Sequence, residues 1–169
     1  MIFKQADQIV GLKQPPKTQS RRVGFPYELL RQLRKFGWSY LGNKWVAAWA
    51  WKDILSRYPI SGKDIVEANR ILAEHVVTLP VQPGWGKKSE GRIRVKTIRR
   101  ERLGDIGLED VFAEGVAYQV PPSEEWLMVP NIGVARQLYA ELWERCGGNW
   151  EQDQNDDVWV LEFEKGSGL

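Results

Sequence analysis

The run Lys17-Thr18-Gln19-Ser20-Arg21-Arg22 contains residue types that could perform acid–base chemistry. One lysine, two arginines and two hydroxyls within six residues form a dense set of donors for an anion. A lysine beside a hydroxyl can also serve as a base and a nucleophile, provided that burial lowers the pKa of the lysine. On composition alone, an exposed basic loop is the simpler interpretation of this run.

Glu114 is a candidate acid at the end of a short helix that the pattern predicts over Leu108 to Glu114, closed by Gly115. An acidic residue at a helix C-terminus is disfavoured by the helix dipole, so we expect Glu114 to have a partner or a function that offsets this cost. A partly buried glutamate there could have a raised pKa and act as an acid. The alternative is an ion pair with Arg99 or Arg100, which are near in sequence.

The segment from Lys87 to Arg102 is a candidate nucleic-acid surface, because it holds eight basic residues and two acidic ones. Its alternation over Gly91 to Ile98 predicts a strand with basic side chains about every 7 Å on one face, close to the phosphate spacing of a single nucleic-acid strand. Arginine also binds phosphate bidentately and stacks on bases. The candidate contacts are Lys87, Lys88, Arg92, Arg94, Lys96 and Arg99, with Arg21 and Arg22 from the first run.

A neutralised sheet face is the alternative interpretation of the basic strand. From Glu141 to Glu164 the chain has eight acidic residues and one basic residue, although the net charge of the whole chain is only +2. Glu162 and Glu164 lie in a predicted terminal strand and could pair directly with the arginines. The segregation of charge is therefore compatible with a positive face or with an internal ion-pair ladder.

Several classes of protein are disfavoured. One cysteine, Cys146, and one histidine, His75, allow neither an intrachain disulfide nor a Cys/His zinc cluster. The run Pro83-Gly84-Trp85-Gly86-Lys87-Lys88 does not match a phosphate-binding P-loop. No apolar run is long enough for a membrane span and no leader is evident. We expect a cytoplasmic protein of one domain, without a membrane partner or a cofactor.

The order of elements predicts an α+β fold, or a small barrel with helices at its ends. Helices are predicted over Tyr27 to Phe36, from a Ser61-x-x-Asp64 capping box to about Val76, and from Val134 to Arg145. Short strands are predicted over residues 77–81 and 158–164. The aromatic segment 38–51 is compatible with either a strand or a helix.

Three segments together resemble the ASCH domain family, a branch of the PUA-like superfamily, in the form common in bacteria and phages. The first is the Lys17–Arg22 run, which follows Gly11. The second runs from Gln82-Pro83-Gly84 through Ile98-Arg99-Arg100-Glu101 to Ala113-Glu114-Gly115. The third is Leu142-Trp143 followed by the terminal strand. The resemblance covers most of residues 1–22 and 80–164, and leaves about 23–79 as a helical insertion within a single domain of residues 1–169.

The resemblance implies a small PUA-like β-barrel with flanking helices and a cleft lined by the Lys17–Arg22 run, the basic strand and Glu114. The superfamily is associated with RNA binding, some ASCH members deacetylate N4-acetylcytidine with a lysine, a threonine and a glutamate, and another is described as a ribonuclease. Carried onto this chain, the catalytic positions are Lys17, Ser20 and Glu114, with serine in place of threonine. Lys13 competes for the lysine position, because Gln14-Pro15-Pro16 lengthens the segment after Gly11.

Three functions follow as hypotheses. The first is a domain that binds RNA or a modified nucleoside in a basic cleft, with Trp38, Trp45 or Trp85 stacking on a base. The second is an amidohydrolase that deacylates a nucleoside of the N4-acetylcytidine type. The third is a ribonuclease, or a protein-interaction domain that uses residues 23–79. The oligomeric state is left open.

Overall fold

The computed structural model describes residues 17–42, 44–82, 88–119 and 125–166. Over these residues the fold is α+β, which confirms the predicted class, and its main sheet is antiparallel and curled into a half-barrel. The strands of this sheet are β1 (Gln19–Arg22), β2 (Thr78–Val81), β3 (Gly91–Arg102) and β6 (Asp157–Lys165), and a separate hairpin joins β4 (Ala117–Gln119) to β5 (Trp126–Met128). The strand order in the main sheet is β1-β6-β3-β2.

Helices cover the two faces of the main sheet. They are α1 (Tyr27–Lys35), α2 (Trp51–Arg57), α3 (Gly62–Glu74), α4 (Leu108–Ala113), α5 (Ile132–Arg145) and α6 (Trp150–Asp153), with 3₁₀ turns at Ala48–Ala50 and Leu103–Asp105. In the aromatic segment that the sequence left undecided, residues 38–42 and 44–47 form no helix or strand, and the 3₁₀ turn at Ala48–Ala50 leads into α2. Within the described ranges, no helix has the length and apolar character needed to span a bilayer.

Local signals in the sequence place the helix ends. The predicted capping box opens α3, because Ser61 Oγ accepts from the Asp64 amide at 3.4 Å and the Asp64 carboxylate accepts from the Ser61 amide at 2.8 Å. The leucine stripe of α1 is buried as predicted, and Gly37 follows it at a φ of +91°. His75 is the C-terminal cap of α3, and its amide donates to the carbonyl of Ile71.

Strand β6 lies between two hydrophobic clusters. Trp159, Leu161 and Phe163 pack in the larger cluster, which also receives α1, α2, α3 and the apolar side of β3. Val158 packs in the smaller cluster, which α4 and α5 complete. The alternation of side chains along β6 therefore separates the molecule into two apolar layers.

A β-bulge at Lys96 interrupts the alternation of β3. Val95 lies opposite Phe163 and Thr97 lies opposite the adjacent Glu162, so Lys96 is an extra residue. Thr97, which the simple alternation placed beside Ile93 and Val95, is exposed, and Ile98 takes the buried position instead. The strand also continues to Arg102, beyond its predicted end at Ile98.

Candidate functional site

The described residues contain four buried polar or charged side chains, and the sequence had singled out every one of them. Lys17, Ser20, Arg21 and Glu114 are only 2%, 6%, 5% and 4% exposed. The interpretation of this run as an exposed basic loop is therefore wrong, because the residues form β1 and the segment that leads into it. Buried ionisable groups of this kind need partners, since an unpaired buried charge is costly.

Lys17 is held against the end of α4 by its ammonium group. Its Nζ donates to the backbone carbonyl of Glu114 at 2.7 Å and to Oε2 of the same residue at 3.1 Å. The amide of Thr18 donates to the carbonyl of Ala113 at 2.7 Å. The last carbonyls of a helix lack partners inside the helix, so a lysine and an amide placed here satisfy them.

Gly115 makes the close approach of Lys17 possible. It has a φ of +95°, a conformation that L side chains rarely adopt. A Cβ atom at this position would stand 3.4 Å from the Cβ of Lys17. The glycine that the sequence marked as the end of α4 therefore also makes room for the lysine.

Arg21 is the centre of the buried charges. Its side chain is 0% exposed, its Nη1 lies 3.1 Å from Glu114 Oε1, and its Nη2 lies 3.3 Å from Asp110 Oδ1. Its Nε donates to Glu101 Oε1 at 2.7 Å, and Nη2 contacts the same oxygen. Glu114 is thus paired with Lys17 and Arg21, rather than with the Arg99 or Arg100 that the sequence offered.

Arg99 extends this network toward solvent. Its Nε lies 3.0 Å from Glu101 Oε2, its Nη2 lies 3.0 Å from Asp110 Oδ1, and its Nη1 contacts Glu162. Arg99 is 34% exposed, Asp110 26% and Glu162 38%. We call the residues Lys17, Arg21, Arg99, Glu101, Asp110, Glu114 and Glu162 the ionic cluster.

The bulge at Lys96 assembles the ionic cluster. Uninterrupted alternation would place Arg99 and Glu101 on the face of Ile93 and Val95, inside the larger apolar cluster. The extra residue moves them to the opposite face. There Arg99 and Arg21 lie on either side of Val160, each directly across from it.

Neighbouring charges change the pKa values within the ionic cluster. Burial alone would lower the pKa of Arg21, but the carboxylates of Glu114, Glu101 and Asp110 outweigh it and raise the pKa. Burial alone would raise the pKa of Asp110, but Arg21 and Arg99 hold it below its usual range. The network therefore favours the charged forms of both groups.

Tyr139 and Arg22 flank the ionic cluster. Burial, and then the charge of Glu114, raise the pKa of Tyr139 well above its ordinary value. Burial lowers the pKa of Arg22. Tyr139 lies within the helix predicted over residues 134–145, and a helical periodicity carries no signal for a nearby carboxylate.

Ser20 is separated from the other two candidate catalytic residues. It lies opposite Leu161, a member of the larger apolar cluster. Neighbouring residues of a strand point to opposite faces, so Ser20 points away from the face of Arg21. In the part of the chain that the structure describes, the Ser20 hydroxyl makes no hydrogen bond with Lys17 or Glu114. The structure thus joins Lys17 to Glu114 and leaves Ser20 outside the pair.

The cations of β3 are mostly paired with acidic residues of β6. Arg94 lies 3.0 Å and Lys96 3.5 Å from oxygens of Glu164, and Arg100 lies 3.3 Å from Asp157. Arg92 donates to the hydroxyl of Thr78 at 2.6 and 2.9 Å. This is the ion-pair ladder that the sequence offered as the alternative to a phosphate surface. Lys88 is exposed, and Lys87 lies outside the described residues.

The tryptophans proposed to stack on a base differ in their exposure. Trp38 is 2% exposed and donates from Nε1 to the Asp64 carbonyl at 3.0 Å, so it is a core residue. Trp45 is 83% exposed. Trp85 and the rival lysine, Lys13, lie outside the described residues.

Comparison with protein-family models, curated proteins and solved structures finds no match to this chain. The ASCH resemblance therefore stays a prediction that rests on the motifs quoted above. Among the described residues, no group of three or more His, Cys, Asp or Glu side chains is arranged to hold a metal ion.

Proposed function

We propose that this chain binds RNA or a modified nucleoside in the cleft of a PUA-like barrel, with the ionic cluster as the recognition site. The observation that carries the proposal is the burial of Lys17, Arg21 and Glu114 in one contact network. Buried ion pairs are weak evidence for stability, because the desolvation of the charges can exceed the gain from their attraction. Their retention beside a helix end is better explained by a ligand that uses them.

The ionic cluster suits the polar edge of a base. Its outer members Arg99 and Asp110 reach solvent and offer a donor and an acceptor, and the buried Arg21 and Glu114 fix their positions from inside. A base edge presents donors and acceptors in a defined order, which such a set can match. The paired cations of β3 are less suited to a row of phosphates, so we assign recognition to the cluster.

The experiment compares two conservative variants of the inner cluster with a matched surface variant. Lys17→Met and Glu114→Gln keep the size of each side chain, whereas Arg94→Gln removes a partly exposed, paired cation from β3. Fluorescence anisotropy with a labelled single-stranded RNA, and competition by free nucleosides, should show affinity about tenfold lower for the first two, because a charge-assisted hydrogen bond contributes roughly 1.5–3 kcal/mol.

Arg94→Gln should bind within about twofold of the unchanged chain, since exposed ion pairs contribute little. Circular dichroism and thermal unfolding establish that each variant is folded. Unchanged affinity in folded Glu114→Gln would remove the ionic cluster from the binding site.

An amidohydrolase is the second candidate, and the contact of 3.1 Å between Lys17 Nζ and Glu114 Oε2 favours it. Transfer of one proton across this contact produces a neutral amine beside a carboxylic acid. A water attacks the amide carbonyl of an acylated nucleoside while Lys17 takes the proton of the water, and Glu114 protonates the leaving nitrogen. The products are a carboxylic acid and the free amino group. Water fits the role of nucleophile better than Ser20, which lies on the other face of β1.

Incubation with N4-acetylcytidine, followed by liquid chromatography, tests the second candidate. Cytidine should be released by the unchanged chain and by Ser20→Ala, and not by folded Lys17→Met or Glu114→Gln. If Ser20→Ala were also inactive, the serine would be the nucleophile. Absence of cytidine with the unchanged, folded chain would exclude this substrate and leave the binding function.

A further inference from the structure

Two tryptophans on the segment before α2 are almost fully exposed. Trp45 is 83% exposed and Trp49 is 86% exposed. Tryptophan is highly buried on average, so two exposed indoles four residues apart are an unusual surface feature. They lie in the 23–79 region, which the resemblance to a known family does not cover.

The backbone that bears these tryptophans is held in place by side chains from α1. The hydroxyl of Tyr27 donates to the carbonyl of Val46 at 2.7 Å. The guanidinium of Arg34 donates to the carbonyls of Lys44 and Gly42 at 2.8 and 2.6 Å. The side chain of Val46 is buried as well. The exposure of the indoles is therefore a consequence of how the segment is fixed to the core.

A second anchor holds the other end of the segment. Trp51, which begins α2, is 6% exposed and donates from Nε1 to the carbonyl of Phe25 at 2.7 Å. Ala47, four residues before Trp51, is also buried. Val46, Ala47 and Trp51 thus pack into the core, whereas the side chains of Trp45 and Trp49 remain accessible to a binding partner.

The stretch of chain that contains the two indoles carries an excess of positive charge. From Lys44 to Ile60 the chain has three basic residues and one acidic residue, Asp53. Lys44, Lys52 and Arg57 are exposed, and none of them makes an ion pair within the described part of the chain. Lys44 stands 5.3 Å from the centre of the Tyr58 ring, a contact that leaves its charge available to an anion.

We propose that Trp45 and Trp49 form a stacking platform for single-stranded nucleic acid, with Lys44, Lys52 and Arg57 contacting its phosphates. Every base has a flat face that stacks on an aromatic ring, and nearby cations neutralise the backbone, which together give binding without strict sequence preference. The excess of unpaired cations favours a polyanion over an apolar partner. The inference rests on the proposed function and adds a surface separate from the ionic cluster.

The experiment measures the anisotropy of a fluorescein-labelled single-stranded RNA dodecamer, and of the matching DNA, with the full chain. Trp45→Ala/Trp49→Ala should weaken binding about 10–100-fold, as expected for the loss of stacking on one or two bases. The matched control is Val23→Ala/Val66→Ala, which truncates two side chains that are 66% and 71% exposed. The control should bind within about twofold of the unchanged chain.

A salt series tests the cations separately. Lys44→Gln/Lys52→Gln/Arg57→Gln should reduce the slope of log Kd against log salt by about 2, because each phosphate contact on a single strand contributes roughly 0.7. An unchanged slope, or unchanged affinity in the double tryptophan variant, would overturn the platform. Binding to phosphatidylserine vesicles through the same tryptophans, with no binding to either oligonucleotide, would also overturn it.

The two proposals fail in distinguishable ways. Suppose that Lys17→Met and Glu114→Gln keep full affinity for nucleosides and RNA, and that Trp45→Ala/Trp49→Ala no longer binds RNA. The stacking platform is then supported, and the proposal that the ionic cluster is the recognition site is wrong. If the tryptophan variant binds RNA normally and the cluster variants do not, the platform is wrong. If the unchanged chain binds neither oligonucleotide, the platform is overturned whatever the cluster does with free nucleosides.

Discussion

The cations of β3 and the cations near Trp45 differ in their partners. Arg94, Lys96 and Arg100 each contact a carboxylate of β6 at 3.0 to 3.5 Å. Lys44 and Lys52 are exposed and make no ion pair within the described residues. The densest basic run of the sequence is thus locally neutralised, whereas a sparser group retains its charge.

This difference comes from topology. Strand β6 lies directly beside β3 in the sheet, so an acidic segment from the end of the chain meets a basic one from its middle. A count of charges along the sequence cannot register that meeting. A basic run in a sequence therefore indicates a positive surface only if the strand beside it carries no acidic residues that pair with it.

A shift of register in β3 should have the largest effect on the paired region. Insertion of one alanine between Ile98 and Arg99 would move Arg99 and Glu101 to the face of the larger apolar cluster. Burial of an ion costs several kcal/mol, so we expect the insertion variant to be unfolded in the absence of denaturant. Deletion of Lys96 removes only the extra residue and leaves Ile98 opposite Leu161, so this control variant should stay folded. A cooperative, native-like urea transition in the insertion variant would show that the strand can restore its register.

The next largest effect should be a difference in the free energy of unfolding between loss of a buried ion pair and loss of a surface ion pair. Arg21→Met leaves Glu101, Asp110 and Glu114 without their shared guanidinium, and should lower the free energy of unfolding by about 3–5 kcal/mol. Arg94→Met removes one exposed pair and should cost about 0–1 kcal/mol. Urea unfolding of both variants gives the values. Equal losses would mean that the inner cluster is no more important to the fold than the surface ladder.

The smallest effect should appear in the pH dependence of stability. Asp110 has a lower pKa in the folded state than its ordinary 3.8, because Arg21 and Arg99 outweigh its burial. Its contribution is present above the unfolded value and is lost as the pH falls through the folded value. Urea unfolding between pH 5 and about 2 should therefore show stability falling with pH below 3.8, and a shallower fall in Asp110→Asn. Parallel curves for the two chains would remove Asp110 from the acid response.

Much of the fold follows from short-range signals. The leucine stripe of α1 and the capping box of α3 depend on residues within one or two turns, and both were predicted. The hairpin of β4 and β5 was missed, because each strand has only three residues and no alternation can be recognised over that length. The 3₁₀ turn Ala48–Ala50 falls in the aromatic segment that was left open between strand and helix, and α2 was missed.

The candidate site divides in the same way. Lys17, Arg21 and Glu114 were recognised by residue type and motif, whereas Glu101 and Asp110 were not assigned to the site. In the sequence, Glu101 lies just beyond a predicted strand, and Asp110 lies in the first turn of a predicted helix. Their role depends on a guanidinium about 80 residues away, a separation over which local patterns carry no information.

The sequence by itself determined the residue types of the site, the helix that ends at Glu114 and Gly115, and the terminal strand that becomes β6. Only the tertiary structure decided that Lys17 meets Glu114 across 97 residues, that Ser20 points away from both, and that β6 neutralises β3. The physical reason is register. One extra residue at Lys96 moves every following side chain of β3 to the other face, and that shift depends on pairing with β6 rather than on any local preference of the chain.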